Sequence, residues 1–110
     1  MRKFRKQLNR GLLEISVLKM IDKRNTYGYE IITSINQITN NIMELKDGTL
    51  YPILYRLEDS KYIESYWEEG ESLRSKPRKY YRITSLGREY LKQSLIDYNE
   101  VVNAMSRILD

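Results

Sequence analysis

Charge, and not nucleophilicity, is the chemistry this sequence offers. Among its 19 lysines and arginines, Arg2, Lys3, Arg5, Lys6 and Arg10 crowd the N-terminus, while Arg74, Lys76, Arg78, Lys79 and Arg82 form a second run with no acid between them. Against a formal net charge of only +4, it is this placement that points to a polyanion as partner. There is no cysteine and no histidine, which removes disulfides, thiolate or imidazole metal sites and every nucleophile-histidine arrangement. The aspartates and glutamates are scattered without a partner that would make an acid-base pair. The expectation is therefore a protein that is no enzyme, holds no metal and needs no cofactor.

The elements that must position these charges follow from periodicity. A chain of 110 residues with 41% hydrophobic content has room for one core, and so small a core is readily completed by a second copy of the chain. Phe4, Leu8, Leu12, Ile15, Leu18 and Ile21 recur every three or four residues, with Leu13, Val17 and Met20 widening the stripe, which predicts a helix over about 3–23. KRNTYG breaks it, and Thr26 is a candidate cap for a second helix carrying Ile31, Ile32, Ile35 and Ile38 on one face. That helix fades at TNN, 39–41. A third, DGTLYPILYRLEDS, has Leu50, Ile53, Leu54 and Leu57 at core-facing spacing and ends near Ser60. YIESYW and RKYYRIT read as two strands of a hairpin, and the connecting EEGESLRSKP reads as a long tip. Thr84 then caps a last helix to about Leu109.

Helix, helix, helix, strand, strand is the order of a winged helix-turn-helix, mainly α with a small β-hairpin, whose third helix enters the major groove of DNA. With its leucines and isoleucines inward, the third helix turns Thr49, Pro52, Tyr55, Arg56 and Asp59 away from the core, with Tyr51 near the boundary. If Thr49 is the N-cap, Pro52 occupies the third helical position, where a missing N–H forfeits no bond. Arg56 could reach a phosphate or a guanine edge, and Thr49 and Tyr51 could donate to phosphates. An ordinary solvated helix face would look similar. Lys76, Arg78 and Lys79 place charge where a wing meets the sugar-phosphate backbone, although Glu68, Glu69 and Glu71 on the opposite limb dilute it.

TYGYEI, GTLYPILYRLEDSKYIES and RKYYRITSLG, in that order, resemble the PadR family of bacterial transcriptional regulators, over roughly Leu12 to Leu109. The chain resembles the short subfamily, with a single helix after the winged domain. The resemblance implies a winged domain over 1–84 and a dimerisation helix over 85–110. It further implies repression, a DNA-facing surface of Thr49, Tyr51, Pro52 and Arg56, and a wing containing Lys76, Arg78 and Lys79. Tyr27, Gly28 and Tyr29 would position the second helix, and for the two tyrosines packing is favoured over DNA contact. KPRKYY replaces the glycine-rich approach to the second strand of many members, which bears on sequence preference and leaves the fold intact.

In the last helix Leu91, Leu95, Tyr98, Val102, Met105 and Leu109 alternate steps of four and three, the pattern of a coiled-coil seam. The same stripe could pack on its own domain, but a helix of about 25 residues spans roughly 37 Å, more than a small winged domain covers. A homodimer is expected, with Leu8 and Leu12 of the partner's first helix opposing the seam. Two-fold symmetry predicts a palindromic operator with half-sites one helical turn apart or a multiple of it. The resemblance also implies a small aromatic or drug-like effector between paired terminal helices, for which Tyr98 and Met105 are the candidates, though a tyrosine on an apolar stripe is more often core. No apolar run approaches a membrane span, and a cytoplasmic location is expected. A winged module that binds protein and never DNA, or a carrier or enzyme for small molecules, are the alternatives. Charge reversal at Arg56, Arg78 and Lys79 would separate the first, and turnover the second.

Overall fold

The computed structural model describes residues 2–70, 72 and 74–110. In chain order the elements are α1 (Lys3–Lys23), β1 (Thr26–Tyr27), α2 (Gly28–Ile38), α3 (Asp47–Asp59), β2 (Ile63–Glu68), β3 (Arg78–Ile83) and α4 (Ser85–Leu109). This is a mainly helical winged helix-turn-helix with a long terminal helix, as the periodicity predicts. The wing is a three-stranded antiparallel sheet in the order β1-β3-β2, one strand more than the expected hairpin. The extra strand pairs Thr26 with Tyr81 and Tyr27 with Tyr80.

One core holds the elements together. Leu13, Val17, Leu18 and Ile21 of α1 meet Ile31 and Ile35 of α2, Leu50, Ile53, Leu54 and Leu57 of α3, Ile63, Tyr81 and Ile83 of the sheet and Leu91 of α4. Each fully buried leucine or isoleucine contributes about 1.5–3 kcal/mol. Both helices that flank the turn stop in the same way. At the end of α2 the Asn40 N–H donates to Gln37 and the Asn41 N–H to Asn36, and at the end of α3 the Lys61 N–H donates to Glu58 and the Tyr62 N–H to Leu57. This paired bonding is the Schellman stop, and it places Asn40 and Lys61 at positive φ, 50° and 66°.

Two capping expectations are corrected. Thr26 is not the cap of α2: it lies in β1, Tyr27 holds the cap position, and the Thr26 hydroxyl donates to Glu30 over 2.6 Å. Sheet pairing has claimed the threonine's backbone. Nor does Thr49 cap α3. The cap residue is Lys46, extended at φ −131°, whose carbonyl accepts from the Thr49 and Leu50 N–H groups. Pro52 is thus the sixth helical residue, not the third, and its missing N–H does forfeit the bond to the Gly48 carbonyl. That carbonyl belongs to an exposed residue, so the lost bond is not one of the buried interior. The cap of α4 is as expected: the Gly87 N–H donates to the Thr84 hydroxyl over 3.0 Å, and the hydroxyl in turn donates to the Lys61 carbonyl over 2.7 Å.

Candidate nucleic-acid interface

α3 is presented by a clamp that periodicity does not reveal. The Asn36 carboxamide donates to the Leu45 carbonyl over 2.9 Å and accepts from the Leu45 N–H over 2.8 Å, fixing the connection one residue before the α3 cap. At the other end the Ser65 hydroxyl donates to Glu58 over 2.6 Å, joining α3 to β2. With the inner face buried, Thr49, Pro52, Tyr55 and Arg56 are exposed, and Arg56 makes no ion pair among the described residues. Tyr51 is more than a boundary residue. Its hydroxyl end lies so close to Gly28 that a Cβ there would approach it to 2.5 Å, so the glycine leaves room for the tip of the tyrosine against the start of α2.

Strand alternation sorts the wing. Tyr81 and Ile83 turn into the core, so Lys79 shares their face, beside α3, with Lys79 at 5.8 Å from the Tyr81 ring. Arg78 points to the other face. There its guanidinium donates to the Tyr27 hydroxyl over 3.1 Å and sits 4.6 Å from the Tyr27 ring centroid, and Tyr27 packs on Tyr80 at 5.1 Å. Lys76 is exposed near the tip. The wing residues named from sequence are therefore divided between two faces. Packing describes Tyr27 as expected, but Tyr29 is 72% exposed and packs on little, contrary to that expectation. Of the acids on the opposite limb, Glu68 pairs across the sheet with Arg78, and Glu71 lies outside the described residues.

Sequence reasoning missed Trp67. It is the cross-strand partner of Lys79, shares the face that flanks α3, and stands 68% exposed. The alternation of YIESYW, anchored by buried Ile63, carries the signal that would have placed it. A cleft of about 490 Å³ between α1 and α3 was missed as well; it is lined by Lys6, Asn9 and Arg10 from one side and by Lys46, Thr49, Pro52 and Arg56 from the other.

The remaining sequence candidates lie along α1 and α4. Leu91 is spent in the chain's own core and Leu95 packs against it, so the seam begins facing inward. Tyr98, Val102, Met105 and Leu109 are exposed, as is Leu8, and Leu12 is half-buried. Tyr98 borders two apolar grooves beside α4, of about 370 Å³ and 550 Å³, with Leu12 in both; Met105 borders neither. No cluster of metal-ligating side chains occurs among the described residues, and no helix there is long and apolar enough to cross a membrane.

The family described as transcriptional regulator PadR-like matches residues 17–93. A regulator from Clostridium thermocellum superimposes with a TM-score of 0.86 at 29% identity, over 100% of this chain and 99% of that one. A PadR-like regulator from Bacillus cereus gives 0.80 at 31% identity, over 94% and 97%. An uncharacterized protein of Lysinibacillus sphaericus is 41% identical over 97 residues, 88% of this chain and 87% of its own length.

Proposed function

The chain belongs to the PadR-like family of transcriptional regulators, and from that premise we propose that it is a homodimeric repressor that binds a palindromic operator through α3 and the wing. The observation that carries this reading is the outer face of α3: Thr49, Pro52, Tyr55 and Arg56 have no part in the core, yet the helix that bears them is tied down at both ends. Rigid presentation of exposed polar and cationic groups is what reading a groove requires. In this reading Arg56 contacts a base edge or phosphate, Thr49 and Tyr51 donate to phosphates, and Lys79 and Lys76 follow the backbone from the wing. Arg78 adds charge from the far face of the sheet while holding Tyr27. The outer half of α4, with Tyr98, Val102, Met105 and Leu109, forms the seam to a second copy and its Leu8 and Leu12. A flat apolar effector held beside Tyr98 would change the spacing of the two α3 helices and release the operator.

A gel-shift titration against the DNA upstream of the protein's own gene, with unrelated DNA as competitor, tests this. Specific retardation that is lost in Arg56→Ala is the expected result. Equal retardation of both DNAs by wild type and variant would remove sequence reading from α3. Absence of any retardation would favour a winged module that binds protein.

A further inference from the structure

One polar residue interrupts the core face of α1. Asn9, Leu13, Val17 and Ile21 succeed one another at intervals of four, and Asn9, 5% exposed, is as buried as Leu13. Its Nδ2 reaches no solvent and has no hydrogen-bond partner among the described residues. A buried donor left unpaired destabilises the fold, and an apolar residue at this position would remove that cost. Such a donor needs an explanation, and its surroundings supply one.

Asn9 lines the cleft between α1 and α3, and so do Lys6, Arg10, Lys46 and Arg56. The one acid there is Glu44, which is 3.9 Å from the Lys46 ammonium. Lys6, Arg10 and Arg56 form no ion pair among the described residues. Three uncommitted cations thus line one concavity, the unpartnered Asn9 amide lies buried in its wall, and Thr49, Pro52 and Arg56 belong both to that wall and to the outer face of α3. A phosphate, with several acceptor oxygens and a charge matched to arginine and lysine, is the group that satisfies all of them together.

We propose that this cleft is a phosphate site that clamps one backbone phosphate of bound DNA beside α3, so that α1 is part of the DNA-binding surface. The inference rests on the DNA-binding reading above and goes beyond it in assigning Lys6, Arg10 and Asn9. Lys6 and Arg10 supply charge from α1, Arg56 closes the site from α3, and a rotamer change turns the Asn9 amide from its buried position to a phosphate oxygen. A contact of this kind fixes the depth of α3 in the groove and carries no sequence information.

The test compares wild type, Lys6→Ala/Arg10→Ala and Asn9→Leu in fluorescence anisotropy titrations on operator and unrelated duplexes across a salt series, with thermal melts with and without inorganic phosphate. The double variant is expected to weaken both duplexes by the same factor and to lower the slope of log K against log salt by about 1, the loss of one phosphate contact. Asn9→Leu is expected to bind DNA several-fold more weakly while melting higher, because the unpaired donor is gone; a merely structural asparagine would melt lower on replacement. Unchanged slopes and affinities in both variants would overturn the proposal while leaving DNA binding through α3 intact. If inorganic phosphate raised the wild-type melt but not that of the double variant, with DNA binding unaffected, a free phosphate and not DNA would be the source, which also overturns it. Failure of the wild type to bind any duplex would fall on the DNA-binding reading itself, and this proposal would fall with it.

Discussion

The winged body and the outer half of α4 are built to opposite rules. In the body Val17, Leu18, Ile31, Leu50, Leu54 and Leu57 are wholly buried, and every element except β1, from α1 to the start of α4, contributes to one core. Beyond Leu95 the apolar residues stand out: Val101 is 67% exposed, Ile108 75% and Leu109 72%, in a molecule whose long axis measures 59 Å. The body is thus explained by its own sequence, each buried side chain meeting another from the same chain. The outer helix is not. It holds apolar surface that this chain alone leaves in water, where each Å² forgoes about 25 cal/mol, and in the reading proposed above a second copy of the chain covers it.

The comparison can be broken first where the body is densest. Leu54→Ala removes a fully buried side chain from the middle of α3 and is expected to lower unfolding stability by about 2–5 kcal/mol in urea denaturation. A loss below about 1 kcal/mol would mean that the body does not depend on this core. Gly87→Ala comes next. A Cβ there would overlap the Tyr62 carbonyl oxygen and crowd Ile83, and that carbonyl already accepts from the Thr84 N–H over 3.0 Å. Backbone held in this way cannot easily yield, so about 1–3 kcal/mol should be lost, with α4 loosened from the body. A stable Gly87→Ala protein would show that the root of α4 is more pliable than its packing suggests.

A smaller effect is confined to alkaline solution. Burial of the Tyr81 phenol, assisted by the negative charge of Glu58, pushes its pKa up from 10.0 to about 12. The folded state then holds this proton more tightly than the unfolded state does, so between pH 10 and 12 stability falls as pH rises, while below pH 10 the group has no effect. Melting temperatures across that window should fall more steeply for wild type than for Tyr81→Phe. Parallel curves would mean that Tyr81 is better solvated than its place in the sheet implies.

Much of the body was legible because its pattern repeats. The stripe of α1, the core face of α3 and both long strands follow from apolar spacing over many residues. What escaped depends on single tertiary contacts. β1 has two residues and therefore no period, and it exists because Thr26 and Tyr27 meet β3. Thr49 has the residue type of a cap, yet α3 starts at Asp47 because Asn36 holds Leu45 nine residues away in sequence. The division of Lys79 from Arg78 was within reach, since RKYYRI alternates and its isoleucine had to face inward. The cleft beside Asn9 was not, because nothing in α1 alone says that α3 lies across from Lys6 and Arg10.

The finest test leaves the body untouched. Val102 and Met105 are 43% and 48% exposed and lie on the outer half of α4, clear of the core. Val102→Asp with Met105→Asp should therefore change the stability of a single chain by no more than about 0.5 kcal/mol, the usual effect of surface replacements. The same two carboxylates, set into an apolar seam and duplicated by symmetry, would face each other in low dielectric and disfavour pairing strongly. Sedimentation velocity is expected to show a dimer for wild type and a monomer for the variant, with circular dichroism of the two nearly superimposable. Operator affinity should fall with dimerisation, since each half-site then binds without the help of the other. A variant that remained dimeric would place the interface elsewhere, and the exposed outer helix would need another partner.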